Sequence, residues 1–299
     1  MKDLEIVSDN RRLEIRFWGV RGSIPSPGPA FARYGGNTPC VEVSYGDSGV
    51  VIDAGSGIRK LGGDLSNRKK QFDKQVLFTH FHWDHIQGLP FFGPLYRSAP
   101  QLLLGSALPA AELRSILDGQ MQAPYFPTTM ELPPGIKCFE TPLEGFQVGD
   151  LSIQPFPLHH PEPTWGFRIE SPSGVYVHGC DFEHGSEGHD RILREFARGA
   201  DLVTFDAHFA PEEYDSHRGW GHSTWAEGVK VAKDAGVKRL ALFHHHPDRE
   251  DADVDRLASA AQAEFRGAFA AREGVTLVVD NRRPKACLEP APVYSEYEA

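Results

Sequence analysis

Cysteine is scarce: four in 299 residues (Cys40, Cys138, Cys180 and Cys287), scattered and without a Cys-x-x-Cys pair. That argues against a disulfide framework and against a thiolate zinc site. Positive charge is also short. Lys and Arg number 31 against 41 Asp and Glu, a formal net charge of −10. A protein that wraps long nucleic acid by neutralising phosphates normally carries a basic face, so that class is disfavoured. No apolar run approaches the roughly 20 residues of a membrane span. The opening Met1-Lys2-Asp3-Leu4-Glu5 lacks the apolar core of a signal peptide. The expectation is a soluble cytoplasmic protein without a membrane partner.

What is present is ordinary in bulk: 40% apolar and 24% charged residues, enough for one large α/β domain. Strands are expected at Leu13 to Gly19, Cys40 to Tyr45, Val50 to Asp53, Gln101 to Leu104, Lys137 to Glu140 and Leu151 to Pro155. Gly166 to Glu170 and Val175 to His178 read as a hairpin, and Asp201 to Phe205, Arg239 to Phe243 and Thr276 to Val279 as further strands. Ile58 to Leu65, Pro109 to Leu117 and Asp190 to Ala197 read as helices. Thr224-Trp225-Ala226-Glu227 fits a capping box that opens a helix ending at Gly236. Val254, Leu257, Ala258, Ala261, Phe265 and Phe269 recur at helical spacing and predict one long amphipathic helix. Residues 122–134 have no period; their aromatics and prolines serve packing or a lid. The organisation expected is a single domain over 1–299, with an acidic, Pro-containing tail from about 286.

The stretch that stands apart is Thr79-His80-Phe81-His82-Trp83-Asp84-His85, after the apolar run from Gln75. Residues two apart on an extended segment point the same way, so His80 and His82 can hold one metal ion. Asp84 and His85 turn elsewhere and can serve a second ion if a helix begins there. Two ions need more donors than these four.

This H-x-H-x-D-H pattern resembles the signature of the metallo-β-lactamase superfamily of dinuclear metallohydrolases. Arg16 to Ser23 and Tyr34-Gly35-Gly36-Asn37-Thr38 resemble the opening of its phosphodiesterase-like branch, which includes RNase Z and small cyclic-phosphate phosphodiesterases. The resemblance implies a four-layer αββα sandwich with its site on strand-end loops. It implies His160 as the third histidine, since His160, just ahead of Pro161, fits better than its neighbour His159. It implies Asp181 as the carboxylate shared by both ions, and His244 as the last ligand, with His245 and His246 as alternatives in another register. The first ion would then be held by His80, His82 and His160, and the second by Asp84, His85 and His244. Asp53, at a strand end before a Gly turn, is either a turn cap or the residue that orients a metal-bound histidine.

Imidazole and carboxylate donors suit Zn2+ best, while Mn2+, Fe2+ or Ni2+ fit the same set. Two such ions, roughly 3.5–4 Å apart, would clamp the attacking hydroxide. Gly219-Trp220-Gly221-His222-Ser223-Thr224 precedes a helix, where backbone N–H groups favour an anion. There His222 resembles the phosphate-contacting histidine of the RNase Z-like enzymes, and Asp206 its acidic partner. Together with Asp84 they are the expected catalytic residues.

The first reading is therefore a phosphodiesterase for a small substrate, a cyclic nucleotide or cyclic sugar phosphate. RNase Z carries a long tRNA arm between its third histidine and the shared aspartate; here 20 residues separate His160 from Asp181. The alternatives are a carboxylic hydrolase (lactonase or β-lactamase-like) and a diiron redox or sensor protein. Relatives in this branch are commonly dimers, so a homodimer is among the expectations.

Overall fold

In the computed structural model, the described residues are 11–67, 75–96, 102–127 and 131–281. The tail from 286 and residues 128–130 of the aperiodic loop lie outside them. Alternating apolar runs build two seven-stranded sheets. The first runs Thr276–Val279, Leu13–Gly19, Cys40–Tyr45, Ser48–Ile52, Gln75–Leu77, Leu102–Ser106, Ile136–Glu140. The second runs Ala268–Ala270, Leu240–Phe243, Leu202–Asp206, Gly174–Gly179, Thr164–Ser171, Leu151–Leu158, Phe146–Val148. Both are mixed, with neighbouring pairs antiparallel towards one edge and parallel towards the other.

Residues of both sheets share one core: Ile15, Phe17, Val43 and Ile52 pack with Ile153, Phe167, Ile169 and Phe243. The outer face of the first sheet buries Val51 and Val76 against Ile58 and Leu61 of the helix Gly57–Asn67 and Leu113 and Leu117 of Ala110–Gly119. On the other side Val203 and Phe205 meet Leu193, Val229 and Ala261 of the helices Glu187–Ala197, Trp225–Asp234 and Asp251–Glu264. This is the αββα sandwich expected.

Thr224 caps the helix Trp225–Asp234, its hydroxyl accepting from the Glu227 N–H at 3.3 Å. One expected element is corrected. The helix predicted through Phe269 ends at Glu264, and Phe269 lies on the edge strand Ala268–Ala270. The chain doubles back at Gly267, where a Cβ would sit 2.4 Å from the Lys238 carbonyl oxygen, so no bulkier residue passes there. Phe265 and Phe269 still pack against core clusters from the turn and the strand. An inward-facing set can therefore keep helical spacing after the helix has stopped.

Candidate metal centre

The site forms where strands of both sheets run out. His80 follows Gln75–Leu77, Asp181 follows Gly174–Gly179, and His244 follows Leu240–Phe243. His160 leaves the end of Leu151–Leu158. A one-turn helix, Trp83–Ile86, starts directly after His82. That change from extended to helical backbone turns Asp84 and His85 away from His80 and His82.

The predicted ligands form two donor groups, and two further groups overlap them through His244, one with His208 and His222 and one with Asp181, Asp206 and His222. In the first, His80, His82 and His160 each bring a ring nitrogen within 4.8 Å of the others, with His160 Nε2 3.1 Å from His82 Nδ1. In the second, Asp84, His85, Asp181 and His244 converge. Asp181 Oδ2 lies 3.3 Å from His85 Nε2, 3.2 Å from His244 Nε2 and 3.7 Å from His80 Nε2. Among the described residues it is thus the one carboxylate that faces both groups. His244 Nε2 is also 3.1 Å from Asp84 Oδ2. Donors around one tetrahedral ion with bonds of about 2.0–2.1 Å sit roughly 3.3 Å apart, so these spacings are those of a shared coordination sphere.

The donors fit divalent cations on a second count. His80 Nε2 and His85 Nε2 are fully buried and, among the described residues, make no hydrogen bond of good geometry, with Asp181 Oδ2 their nearby counter-charge, a costly state unless an ion completes it. Their other nitrogens are occupied. His85 Nδ1 meets Asp53 Oδ2 at 2.8 Å, and the Thr79 hydroxyl lies 3.0 Å from His80 Nδ1 and 2.9 Å from Asp53 Oδ2. His160 Nδ1 donates to the Gly221 carbonyl at 2.8 Å. Each ring is therefore turned with its free nitrogen inward. Burial holds His160 down at about 4, and so neutral. Burial also opposes a charge on His85, yet Asp181, Asp84 and Asp53 outweigh it and raise its pKa well above the usual range. Carboxylates crowded this closely call for positive charge at their centre.

Backbone strain collects here. Asp53 and His244 adopt left-handed conformations, φ +63° and +58°, each costing on the order of 1–2 kcal/mol outside glycine. Gly22 passes so close that a Cβ there would be 2.4 Å from His244 Nδ1.

Beside the donors, His222 Nδ1 donates to Asp206 Oδ2 at 2.8 Å, both buried. Burial works against its charge, but Asp206 prevails and raises the imidazole to about 9. Asp206 is fixed in turn by the N–H groups of His208 (3.1 Å) and Ser223 (3.3 Å).

His159 turns away to the Glu183 carbonyl, and buried His245 meets the Ala271 carbonyl, so neither joins the centre. Of Asp53's two sequence readings, the contacts are those of an orienting residue, since it faces His85 and Thr79. Three participants were given no role by sequence reasoning. Thr79 touches Asp53, His80 and His85. The Ser23 N–H holds Asp84 Oδ2 at 2.7 Å. His208 stacks on His222 with ring centroids 4.3 Å apart. Thr79 opened the motif stretch and Ser23 closed the Arg16 to Ser23 run, but neither contact had a signal of its own, and nothing local set His208 apart.

The family model described as Beta-lactamase superfamily domain matches residues 49–245. Ribonuclease Z of Methanopyrus kandleri is 24% identical over 310 residues, covering 90% of this chain and 99% of that protein. Among solved structures, the metallo-beta-lactamase fold protein YhfI from Bacillus subtilis superposes with TM-score 0.69 at 21% identity, covering 90% of this chain and 99% of its own. A diphosphatase of the PhnP family gives 0.64 at 19% identity, with 93% and 100% covered. With two mixed sheets, outer helices and strand-end donors in place, the chain belongs to the beta-lactamase superfamily, in its metallo-β-lactamase-fold, ribonuclease Z-like branch.

Proposed function

We propose that this metal-dependent hydrolase is a dinuclear phosphodiesterase acting on a small phosphodiester, a cyclic nucleotide or cyclic sugar phosphate. The observation that carries the reading is the buried His222–Asp206 pair beside the seven-donor cluster. A fixed imidazolium suits a phosphodiester, which is already anionic when it binds and expels an alkoxide that needs a proton, whereas a neutral lactone or lactam gains charge only in its transition state. The relatives' names, ribonuclease Z and diphosphatase, point to the same phosphorus–oxygen chemistry.

His80, His82 and His160 would hold one ion and Asp84, His85 and His244 the other, with Asp181 shared; Zn2+ suits the set best. When bound, the ions supply Lewis acidity and an activated water. The chain's own groups do the rest. Asp206 fixes His222 with its proton on Nε2, from which it donates to a phosphoryl oxygen and then to the departing alkoxide. Asp84, steadied by the Ser23 N–H, takes the proton of the attacking water. Asp53 and Thr79 keep His85 and His80 from rotating. A small substrate is favoured because only a short hairpin, Thr164–Ser171 with Gly174–Gly179, lies between His160 and Asp181.

The test is metal analysis of purified protein, then assay against 2′,3′- and 3′,5′-cyclic nucleotides, a cyclic sugar phosphate, a lactone and nitrocefin. About two ions per chain and turnover confined to the phosphate esters are expected. Turnover of the lactone or nitrocefin alone would sink the proposal.

A further inference from the structure

Glu183 is a buried carboxylate that the chemistry above leaves unused. Its Oε1 accepts from the Gly219 N–H at 2.7 Å and from the Tyr214 hydroxyl at 3.0 Å, and its Oε2 accepts from the Gly221 N–H at 2.7 Å. The two N–H groups flank a single residue, Trp220. Both glycines have positive φ, +83° and +85°, and a Cβ on Gly221 would lie 2.3 Å from His160 Nδ1. The carbonyl of Gly221 is also the acceptor for that nitrogen. One carboxylate therefore staples the peptide on both sides of Trp220 and braces His160 through it.

Between the staples the Trp220 side chain is left 63% exposed. It meets His217 nearly at right angles, 5.0 Å between centroids; His217 stacks on Phe209 at 4.5 Å, and Phe209 is tilted against His222 at 6.1 Å. These rings make a wall leading outward from His222, and Trp220 ends it only two residues, about 7 Å of chain, from His222. A single exposed aromatic needs no explanation. A clamp of charge-assisted hydrogen bonds on both flanks of one does, because it keeps an uncovered ring face in place at the rim of a site.

We propose that Trp220, fixed by Glu183, is a stacking platform for a planar base, which makes the substrate a nucleotide-type phosphodiester rather than a cyclic sugar phosphate. This rests on the phosphodiesterase reading. A second phosphate has little to bind nearby. The cavity of about 420 Å3 lined by Phe209, His217 and His246 contains Arg249 and Arg256, but Arg249 is paired with Glu213 at 2.6 Å and Arg256 with Asp253.

The experiment compares metal-loaded wild type with Trp220→Ala, Trp220→Phe, Trp83→Ala and Glu183→Gln, on a 2′,3′-cyclic nucleotide and on the baseless ribose cyclic phosphate. Trp220→Ala should lower the nucleotide-to-baseless ratio of kcat/KM by roughly 5- to 100-fold, mostly through KM, as loss of one base–aromatic stack does. Trp220→Phe should restore most of it. Glu183→Gln, as a positioning change acting through His160 and Trp220, should lower kcat on both esters and raise KM further on the nucleotide. Titration with adenosine 2′-monophosphate should quench indole fluorescence in wild type and not in Trp220→Phe. An unchanged ratio in Trp220→Ala would overturn the proposal. So would transfer of the selectivity to Trp83→Ala, or an equal loss on both esters accompanied by dissociation of a dimer. If wild type cleaves neither ester, the phosphodiesterase reading falls, and the fluorescence titration still decides the base contact separately.

Discussion

The two sheets feed the centre differently. The first contributes four donors within six consecutive residues, His80 to His85, and their directions follow from one local event, the switch from extended backbone to a one-turn helix at His82. The second contributes donors singly: His160, Asp181 and His244 each end a different strand. Their poses depend on partners far off in sequence. His160 relies on Gly221, 61 residues away. His208 donates to the His244 carbonyl across 36 residues at 2.9 Å. The first half takes its donor directions from a local conformation and is only steadied from afar, by Asp53 on His85 and the Ser23 N–H on Asp84; the second takes even its donor directions from packing, so damage to supporting residues should act differently on each.

The largest effect is expected at the residue that joins the halves. Asp181→Ala removes the carboxylate that faces both donor groups. Bound metal should fall below two ions per chain, and kcat should drop by roughly 10^2–10^3-fold or more; full activity with two ions retained would break the shared-ligand assignment. Next comes Asp206→Ala, on the packing-dependent side but outside both donor sets. It should cost on the order of 10^2-fold in kcat, as loss of an oriented general acid does, with metal content unchanged. Loss of metal in this variant would move Asp206 into the coordination sphere. A smaller effect belongs to the first sheet's half. Asp53→Ala frees His85 to rotate and should weaken metal affinity by about 10–100-fold, read by competition with a chromophoric chelator, while saturating metal restores kcat. If restoration fails, Asp53 does more than orient His85.

The same division explains what was legible. The run from Thr79 to His85 announces itself because several ligand types crowd a strand end, and the strands and most helices follow from alternation and helical spacing. Nothing local marked His160, Asp181 or His244 among 14 histidines and 41 acids; the family pattern supplied them, and packing supplied their neighbours. The Ser23 N–H and the Gly221 carbonyl are backbone groups with no side-chain signature. Left-handed φ at Asp53 and His244 follows from tertiary constraint. The overlong helix through Phe269 failed for a related reason: periodicity reports which residues face a core, and it cannot tell a helix from a turn and strand that present the same residues.

The smallest expected effect isolates stability from chemistry. Thr224 caps the helix Trp225–Asp234 through the Glu227 N–H and is next but one to His222. Thr224→Ala leaves that N–H without its acceptor and should lower stability by about 1 kcal/mol, measured by urea unfolding of the metal-loaded protein. His222 has its own anchor in Asp206, and the Ser223 N–H bonds Asp206 independently of the cap. The active centre should therefore ride out the fraying of the helix, with kcat within about twofold of wild type. A fall in kcat as large as that of Asp206→Ala would mean that the helix start itself, and not the Asp206 contact, sets the pose of His222. The second half of the site would then depend on packing one layer further out than its hydrogen bonds indicate.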